Sequence, residues 1–284
     1  MKSAKDTYAL HNGVVIPCLG FGTWRTPDGE VAVSSVKAAL QAGYRHIDTA
    51  AGYGNEESVG RAIRESGLPR EEVFVTSKLA NSGHGYEKTL QAFEDTMQKL
   101  GLSYLDLYLI HWPNPIQFRK NWQEANAGSW KAFEELYRAG RIRSIGVSNF
   151  RPHHLKALLQ TAQIKPMVNQ IRLCPGDVDA ETVEFSREHG ILLEAYSPLG
   201  VGRIMDVPEL AAIAETHGKT PAQVALRWSL QKGFLPLPKS VTPQRILENA
   251  ALFDFALSAA EMSAIDGLPR GVCGLASDPD ATSF

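Results

Sequence analysis

The chain has 284 residues, 44% of them hydrophobic and 21% charged, with a formal net charge of −2. That is ample apolar material for a large core, and the near-neutral balance leaves no electrostatic footprint for nucleic acid or an anionic membrane. No apolar run reaches the roughly 18–20 residues that span a bilayer, and the polar start Met1-Lys2-Ser3-Ala4-Lys5-Asp6 shows no signal-peptide pattern, so a cytoplasmic globular protein is expected.

From the N-terminus, residues 8–10 and 14–16 flank His11-Asn12-Gly13, a tight-turn sequence that predicts a small β-hairpin. Short apolar, β-branched runs follow at 19–22, 46–49, 73–77, 105–110, 142–147, 167–171, 191–196 and 234–238. Helical periods stand between them. Leu90, Phe93, Met97 and Leu100 draw one stripe, Leu155, Leu158 and Leu159 another, and Ile246, Leu247, Ala250 and Phe253 a third. Strand–helix alternation implies a parallel sheet with crossover helices. Eight such units in a chain of this length favour an α/β fold, a closed (β/α)8 TIM barrel over residues 1–284 as one domain, with the hairpin at its start. An open doubly wound sheet is the alternative. It wants GxGxxG after the first strand, and Gly20-Phe21-Gly22-Thr23-Trp24-Arg25 lacks the third glycine. The eighth strand is the weakest, because Pro236 and Pro238 interrupt it.

Function in such a barrel gathers at the C-terminal ends of the strands. The second strand runs His46-Ile47-Asp48-Thr49, with Tyr53 five residues beyond Asp48. The third ends Ser77-Lys78, and the fourth runs into His111-Trp112-Pro113. Each residue has an ordinary explanation: Asp48 as a helix cap, Lys78 as a solvated strand end, His111 as a structural histidine, Tyr53 as a surface turn. Four such residues on three consecutive strands point instead to a shared rim. Reducing a carbonyl needs a proton donor at oxygen while hydride arrives at carbon. A phenol titrates near 10 when free. A neighbouring ammonium favours its phenolate, a carboxylate holds that ammonium charged, and an imidazole can position the carbonyl oxygen.

Ser148-Asn149 and Asn169-Gln170 end the fifth and sixth strands with hydroxyl and amide groups able to hold a carboxamide. Helix capping by Asn149, ahead of Arg151-Pro152, is the competing explanation. Further on, Thr242 then Pro243 reads as N-cap and first helical residue. Arg245 in the first turn and Lys239 just ahead of it stand where the helix dipole disfavours positive charge. A basic pair with a hydroxyl at a helix N-terminus makes sense where an anion binds; a solvated basic turn is the alternative. Cys18, Cys174 and Cys273 are sparse and show no CxxC spacing, which argues for a reducing compartment and against a disulfide framework or zinc site.

Along nearly its whole length the sequence resembles the aldo-keto reductases. The resemblance is carried by Gly43-Tyr44-Arg45-His46-Ile47-Asp48-Thr49-Ala50, Tyr53-Gly54-Asn55-Glu56, Lys78, His111-Trp112-Pro113 and Gly146-Val147-Ser148-Asn149-Phe150. It implies NADPH-dependent reduction of aldehydes and ketones by a monomer, with a catalytic tetrad at Asp48, Tyr53, Lys78 and His111 and Tyr53 as proton donor. It implies that Ser148, Asn149 and Gln170 grip the nicotinamide carboxamide, that Tyr196 stacks on the ring, and that residues 238–245 bind the adenosine 2′-phosphate. NADP(H) is therefore expected rather than NAD. Further cofactor contacts are implied at Gly22, Thr23, Trp24, Asp48, Ser197, Leu199, Lys239, Ser240 and Arg245, with Glu248 and Asn249 near the adenine. The substrate pocket would take Trp24, Tyr53, His111 and Trp112, walled by the 114–128 loop with Phe118 and Trp122 and by the tail from 268 to 284.

The short tail is similar to that of compact bacterial members, such as 2,5-diketo-gluconate and methylglyoxal reductases. Three positions depart from the family pattern: Ala80 where tryptophan is common, Arg172 in place of glutamate, and Cys174-Pro175 in place of His-Pro. Arg172 is expected either to attract an anionic substrate or to face solvent. Two other function classes remain. A cofactor-binding regulatory subunit of a channel could keep the same tetrad, but no appended interaction segment is visible. A metal-dependent hydrolase would need clustered ligands, whereas His153-His154 are adjacent and no HxH or HExxH spacing occurs.

Overall fold

The computed structural model describes residues 1–284. Strands β1 (Thr7–Ala9) and β2 (Val15–Pro17) form the antiparallel hairpin, with Tyr8 opposite Ile16. Asn12 Oδ1 accepts the Val14 N–H at 3.1 Å, and Gly13 has φ of 86°, a conformation open to glycine without steric cost. The hairpin caps the bottom of the barrel: Tyr8 Oη donates to Phe234 O and Asn12 Nδ2 to Arg143 O, both just ahead of barrel strands.

Eight parallel strands follow, each paired with the next: β3 (Phe21–Gly22), β4 (His46–Asp48), β5 (Phe74–Leu79), β6 (Leu107–Ile110), β7 (Ile145–Ser148), β8 (Val168–Arg172), β9 (Leu192–Tyr196) and β10 (Leu235–Leu237). Helices α1 (Glu30–Gln41), α2 (Glu56–Arg64), α3 (Tyr86–Leu100), α4 (Trp122–Arg138), α5 (Pro152–Leu159) and α6 (Ala180–Glu188) return from β3 to β8 in turn. Two, α7 (Pro208–His217) and α8 (Pro221–Gln231), separate β9 from β10, and α9 (Pro243–Ala250) and α10 (Ala259–Asp266) follow.

The first and last strands are joined. Gly20 N–H donates to Pro236 O at 3.1 Å and Gly22 N–H to Pro238 O at 3.0 Å, closing the barrel and removing its edges. This seam accounts for the two prolines. Strand alternation turns their hydrogen-less nitrogens toward β3 and leaves the rungs from Leu235 and Leu237 to β9 intact. It also accounts for Gly20, since a Cβ there would stand 2.4 Å from Leu237 Cδ2 and 2.6 Å from His46 Nδ1.

Outward strand faces meet the helices: Tyr108 packs edge-on to Phe93 of α3 and against Phe133 of α4. One apolar cluster joins β2–β8 and β10 to α1–α5, α8 and α9, and a smaller one gathers β8, β9 and α6–α8 with α10. Several boundaries differ from expectation. β5 runs on through Lys78. β6 begins at Leu107 because the Asp106 carboxylate is taken by Val75 N–H, Arg70 and Arg143. α9 stops at Ala250, short of Phe253, and Leu247 faces solvent outside the expected stripe. Asn149 caps nothing: α5 starts after Arg151, whose N–H donates to His154 Nδ1.

Candidate active site

Strand alternation sends His46 and Asp48 of β4, Thr76 and Lys78 of β5, Gln170 of β8 and Glu194 of β9 to the inside of the barrel. At its mouth Lys78 Nζ, fully buried, donates to Asp48 Oδ1 at 2.7 Å, Asp48 Oδ2 at 2.8 Å, Thr49 O at 2.9 Å and Tyr53 Oη at 3.2 Å. Tyr53 ends a short 3₁₀ turn, Ala51–Tyr53, whose exit at Gly54 has φ of 70°. That loop is pinned by the buried Asn55: it accepts from Thr49 Oγ1 and donates to Thr23 O and Thr26 O. The His111 ring stands edge-on to the Tyr53 ring, centroids 5.6 Å apart. The four residues expected at one rim are there together.

Burial is the largest single influence on the electrostatics of Tyr53, Lys78 and His111. Burial pushes the Tyr53 phenol above its ordinary value, and Lys78 only partly offsets this, so the group is a neutral phenol near neutrality and not a phenolate. Burial alone would lower Lys78, but Asp48 and Tyr53 outweigh it and hold the ammonium charged. Burial, then Lys78 and His84, lowers His111 well below the usual imidazole range, leaving it neutral with an N–H to donate.

Beside this rim lies a tied set of amides and hydroxyls. Gln170 Nε2 donates to Asp48 Oδ2 and to Glu194 Oε2, both at 2.8 Å. Ser148 Oγ donates to Gln170 O, Asn149 Nδ2 to Ser148 Oγ and His111 O, and Tyr196 Oη to Asn149 Oδ1 at 2.8 Å. Asn149 and Ser197 take left-handed φ of 63° and 47°, turning the chain sharply at the ends of β7 and β9. Glu194 was not singled out from the sequence. The signal was an acidic residue inside the apolar run 191–196, at a position that alternation sends into the barrel.

The turn ahead of α9 is open to an anion. Thr242 occupies the N-cap but its side chain caps nothing, the first turn has no acidic residue, and Arg245 is exposed without an ion-pair partner. Lys239 reaches back to Arg25 O at 3.2 Å, and its pKa is lowered by burial and by Arg25. Uncapped N–H groups with two nearby cations are a fitting donor set for a phosphate. Gly22 and Thr23 lie across the seam from this turn, and Leu199, Ser240, Glu248 and the buried Asn249 border it or the β9 end.

The Aldo/keto reductase family model matches residues 18–270. This chain belongs to the aldo/keto reductase family. It is 51% identical to the glyoxal reductase of Bacillus subtilis over 94% of both chains. It is 48% identical to the 9,11-endoperoxide prostaglandin H2 reductase of Trypanosoma cruzi, over 95% of this chain and 94% of that one. A solved variant of Gox0644 in complex with NADPH superposes with a TM-score of 0.91 at 40% identity, covering 99% of this chain and 100% of the other.

The pocket wall of this aldo/keto reductase departs from expectation at Arg172, which neither faces solvent nor waits for an anion. It is buried, donating to Asp177 Oδ2 at 2.6 Å, Gly274 O at 2.7 Å and Cys273 O at 2.7 Å. It thus fastens the C-terminal tail. Cys174 is buried beneath, its backbone bridged to Asp177. Farther along the tail Asp280 accepts from Asn114 Nδ2 and His154 Nε2, Arg119 reaches Thr282 O, and Phe284 lies edge-on to Trp112 at 5.1 Å. Trp122 packs on His154 and Phe118 stacks on His84, and Trp24 is 42% exposed with Arg25 over its ring. Ala80 is half-buried.

His153, His154 and Asp280 come close enough to resemble a metal site. His154 Nδ1 accepts the Arg151 N–H, however, so its proton sits on Nε2 and is donated to Asp280. This is a hydrogen-bonded latch. No helix of the protein is long and apolar enough to cross a membrane.

Proposed function

We propose that this aldo/keto reductase uses NADPH to reduce aldehydes and ketones to alcohols, with Tyr53 as proton donor, in a single barrel domain over residues 1–284. The observation that carries the reading is the Tyr53–Lys78–Asp48 line at the barrel mouth with neutral His111 beside it. NADPH, when bound, would supply the hydride that the carbonyl carbon requires. Tyr53, kept a phenol by its buried setting, gives its proton to the carbonyl oxygen. Lys78 lowers the cost of the phenolate left behind, and Asp48 keeps Lys78 charged and aimed at Tyr53. His111 offers an N–H to the same oxygen and positions it. Ser148, Asn149 and Gln170 would hold the carboxamide and Tyr196 the ring. Gly22, Thr23, Trp24, Ser197, Leu199 and Ser240 would line the path to the 2′-phosphate at Lys239 and Arg245, with Glu248 and Asn249 near the adenine.

The two curated relatives carry substrates as unlike as glyoxal and a prostaglandin endoperoxide in their names at similar identity, which supports the reaction class more than any one substrate. Glyoxal-type dicarbonyls are the first to test. Buried, unpaired thiols at Cys18, Cys174 and Cys273 suit the reducing cytoplasm, and a monomer is what the family resemblance implies. NADPH consumption should follow addition of a carbonyl in the presence of chelator. Binding of NADPH without turnover of any carbonyl in a broad panel would overturn the reading. Arg245→Ala should raise the NADPH Michaelis constant about 10- to 100-fold, the worth of a charged hydrogen bond, and leave the NADH value unchanged. Equal effects on both cofactors would count against the 2′-phosphate site.

A further inference from the structure

We propose that Glu194 is a positioning residue for the nicotinamide, fixing which end of the Gln170 side-chain amide faces the barrel mouth. The inference rests on the reading of Gln170 as part of the carboxamide site. The two ends of a side-chain amide are almost the same shape, so only hydrogen-bond partners decide its orientation. Gln170 Nε2 has two hydrogens, and both point inward: one to Asp48 Oδ2, one to Glu194 Oε2, each at 2.8 Å. Gln170 Oε1 accepts nothing within the chain, and unlike Glu194 Oε1 it is not a walled-off unpartnered atom. The amide therefore presents an acceptor outward, the group that an N–H of the nicotinamide carboxamide requires.

Asp48 alone would not fix this orientation, because it is already shared with Lys78 and can satisfy only one of the two hydrogens. Glu194 supplies the second acceptor. Its presence is otherwise hard to justify: it is fully buried on β9, its Oε1 has no hydrogen-bond partner, and His46 Nε2 is 3.9 Å away. A leucine would fill the same space without burying a half-satisfied carboxyl. The groups facing Glu194 are Asp48 and His46 of β4, Lys78 of β5 and Gln170 of β8. Burial, then Asp48, pushes Glu194 up to about 8, so it acts as a neutral acceptor and places no second negative charge beside Asp48.

The test compares Glu194→Gln, which keeps an oxygen for Gln170, with Glu194→Leu, which removes it. NADPH deuterated on one or the other face of C4 reports how the ring is set, and 2′,5′-ADP reports the phosphate end alone. Glu194→Gln should keep the NADPH Michaelis constant within about twofold and transfer from a single face. Glu194→Leu should raise that constant about 2- to 12-fold, as for one neutral hydrogen bond, and transfer deuterium from both faces. Affinity for 2′,5′-ADP should be the same in all three proteins. Should the leucine variant fail to fold, Glu194→Met carries the same expectation with a side chain closer in shape. Unchanged affinity and face selectivity in the leucine or methionine variant would overturn the proposal, as would Glu194→Gln behaving like Glu194→Leu. A wild-type protein that bound neither NADPH nor 2′,5′-ADP would instead remove the cofactor reading and this proposal with it.

Discussion

The polar rim and the C-terminal tail face the same barrel mouth but are held in different ways. The rim is built on two pairs of neighbouring strands, β4 with β5 and β8 with β9, and its ion pair, Lys78 with Asp48, is out of water with every donor of the ammonium directed. The tail contains no strand or helix beyond α10. Side chains from elsewhere tie it down: Arg172 at Cys273 and Gly274, Arg151 at Asp278, Asn114 and His154 at Asp280, Arg119 at Thr282. Some of these ties are buried, as at Arg172, and some exposed, as between Arg151 and Asp278. Side chains on paired strands thus hold the rim, whereas side chains distant in sequence hold the tail.

Four measurements break or sharpen that contrast. The largest effect belongs to the rim: Tyr53→Phe should lower kcat about 100- to 10,000-fold, the usual worth of a general acid, with NADPH affinity nearly unchanged. Surviving reduction would shift the proton donor to His111. Asp48→Asn should cost about 3–5 kcal/mol in chemical denaturation, because it leaves the Lys78 ammonium buried without its carboxylate. Asp278→Asn in the tail should cost under about 1 kcal/mol, since its pair with Arg151 is exposed to water. Similar losses for the two would mean that rim and tail are equally rigid.

Acid should act on both regions through neutral histidines. Burial, then Lys78, lowers His46 in the barrel to about 3. Burial, only partly offset by Asp280, lowers His154 in the tail latch to about 4. With folded values below the unfolded value of about 6.5, their contribution is present above pH 6.5 and lost as pH falls toward 4. The slope is about 1.4 kcal/mol per pH unit for each group. Denaturation midpoints followed between pH 7 and 4 should fall accordingly, and His154→Asn should flatten the curve. A variant curve parallel to wild type would remove His154 from the account. The smallest effect is expected at Arg172→Met: a few-fold change in carbonyl Michaelis constants, an unchanged NADPH constant, and faster protease cleavage after Leu268. Equal shifts in both constants would mean that Arg172 supports the rim as well as the tail.

Much of the rim was legible in the sequence. Asp48, Tyr53, Lys78 and His111 stand at or just past the ends of consecutive apolar runs, and barrel topology alone brings such positions to one face. Arg172 was not legible, because its partners Asp177, Cys273 and Gly274 lie up to 102 residues away and no local pattern names them. Nor was the sign of the Tyr53 shift, which depends on burial outweighing the ammonium.

The division follows from the range of the forces involved. Hydrophobic period, turn residues and strand-end polar groups are local, so the linear sequence determined the eight units, the barrel and the four residues at its mouth. Prolines in β10 looked like breaks until the closed seam gave their carbonyls Gly20 and Gly22 as donors. The seam, the fastening of the tail and the inward commitment of the Gln170 amide to Glu194 depend on contacts between distant strands and on exclusion of water. Only the tertiary structure decided them, because hydrogen-bond partners and desolvation are properties of space rather than of order along the chain.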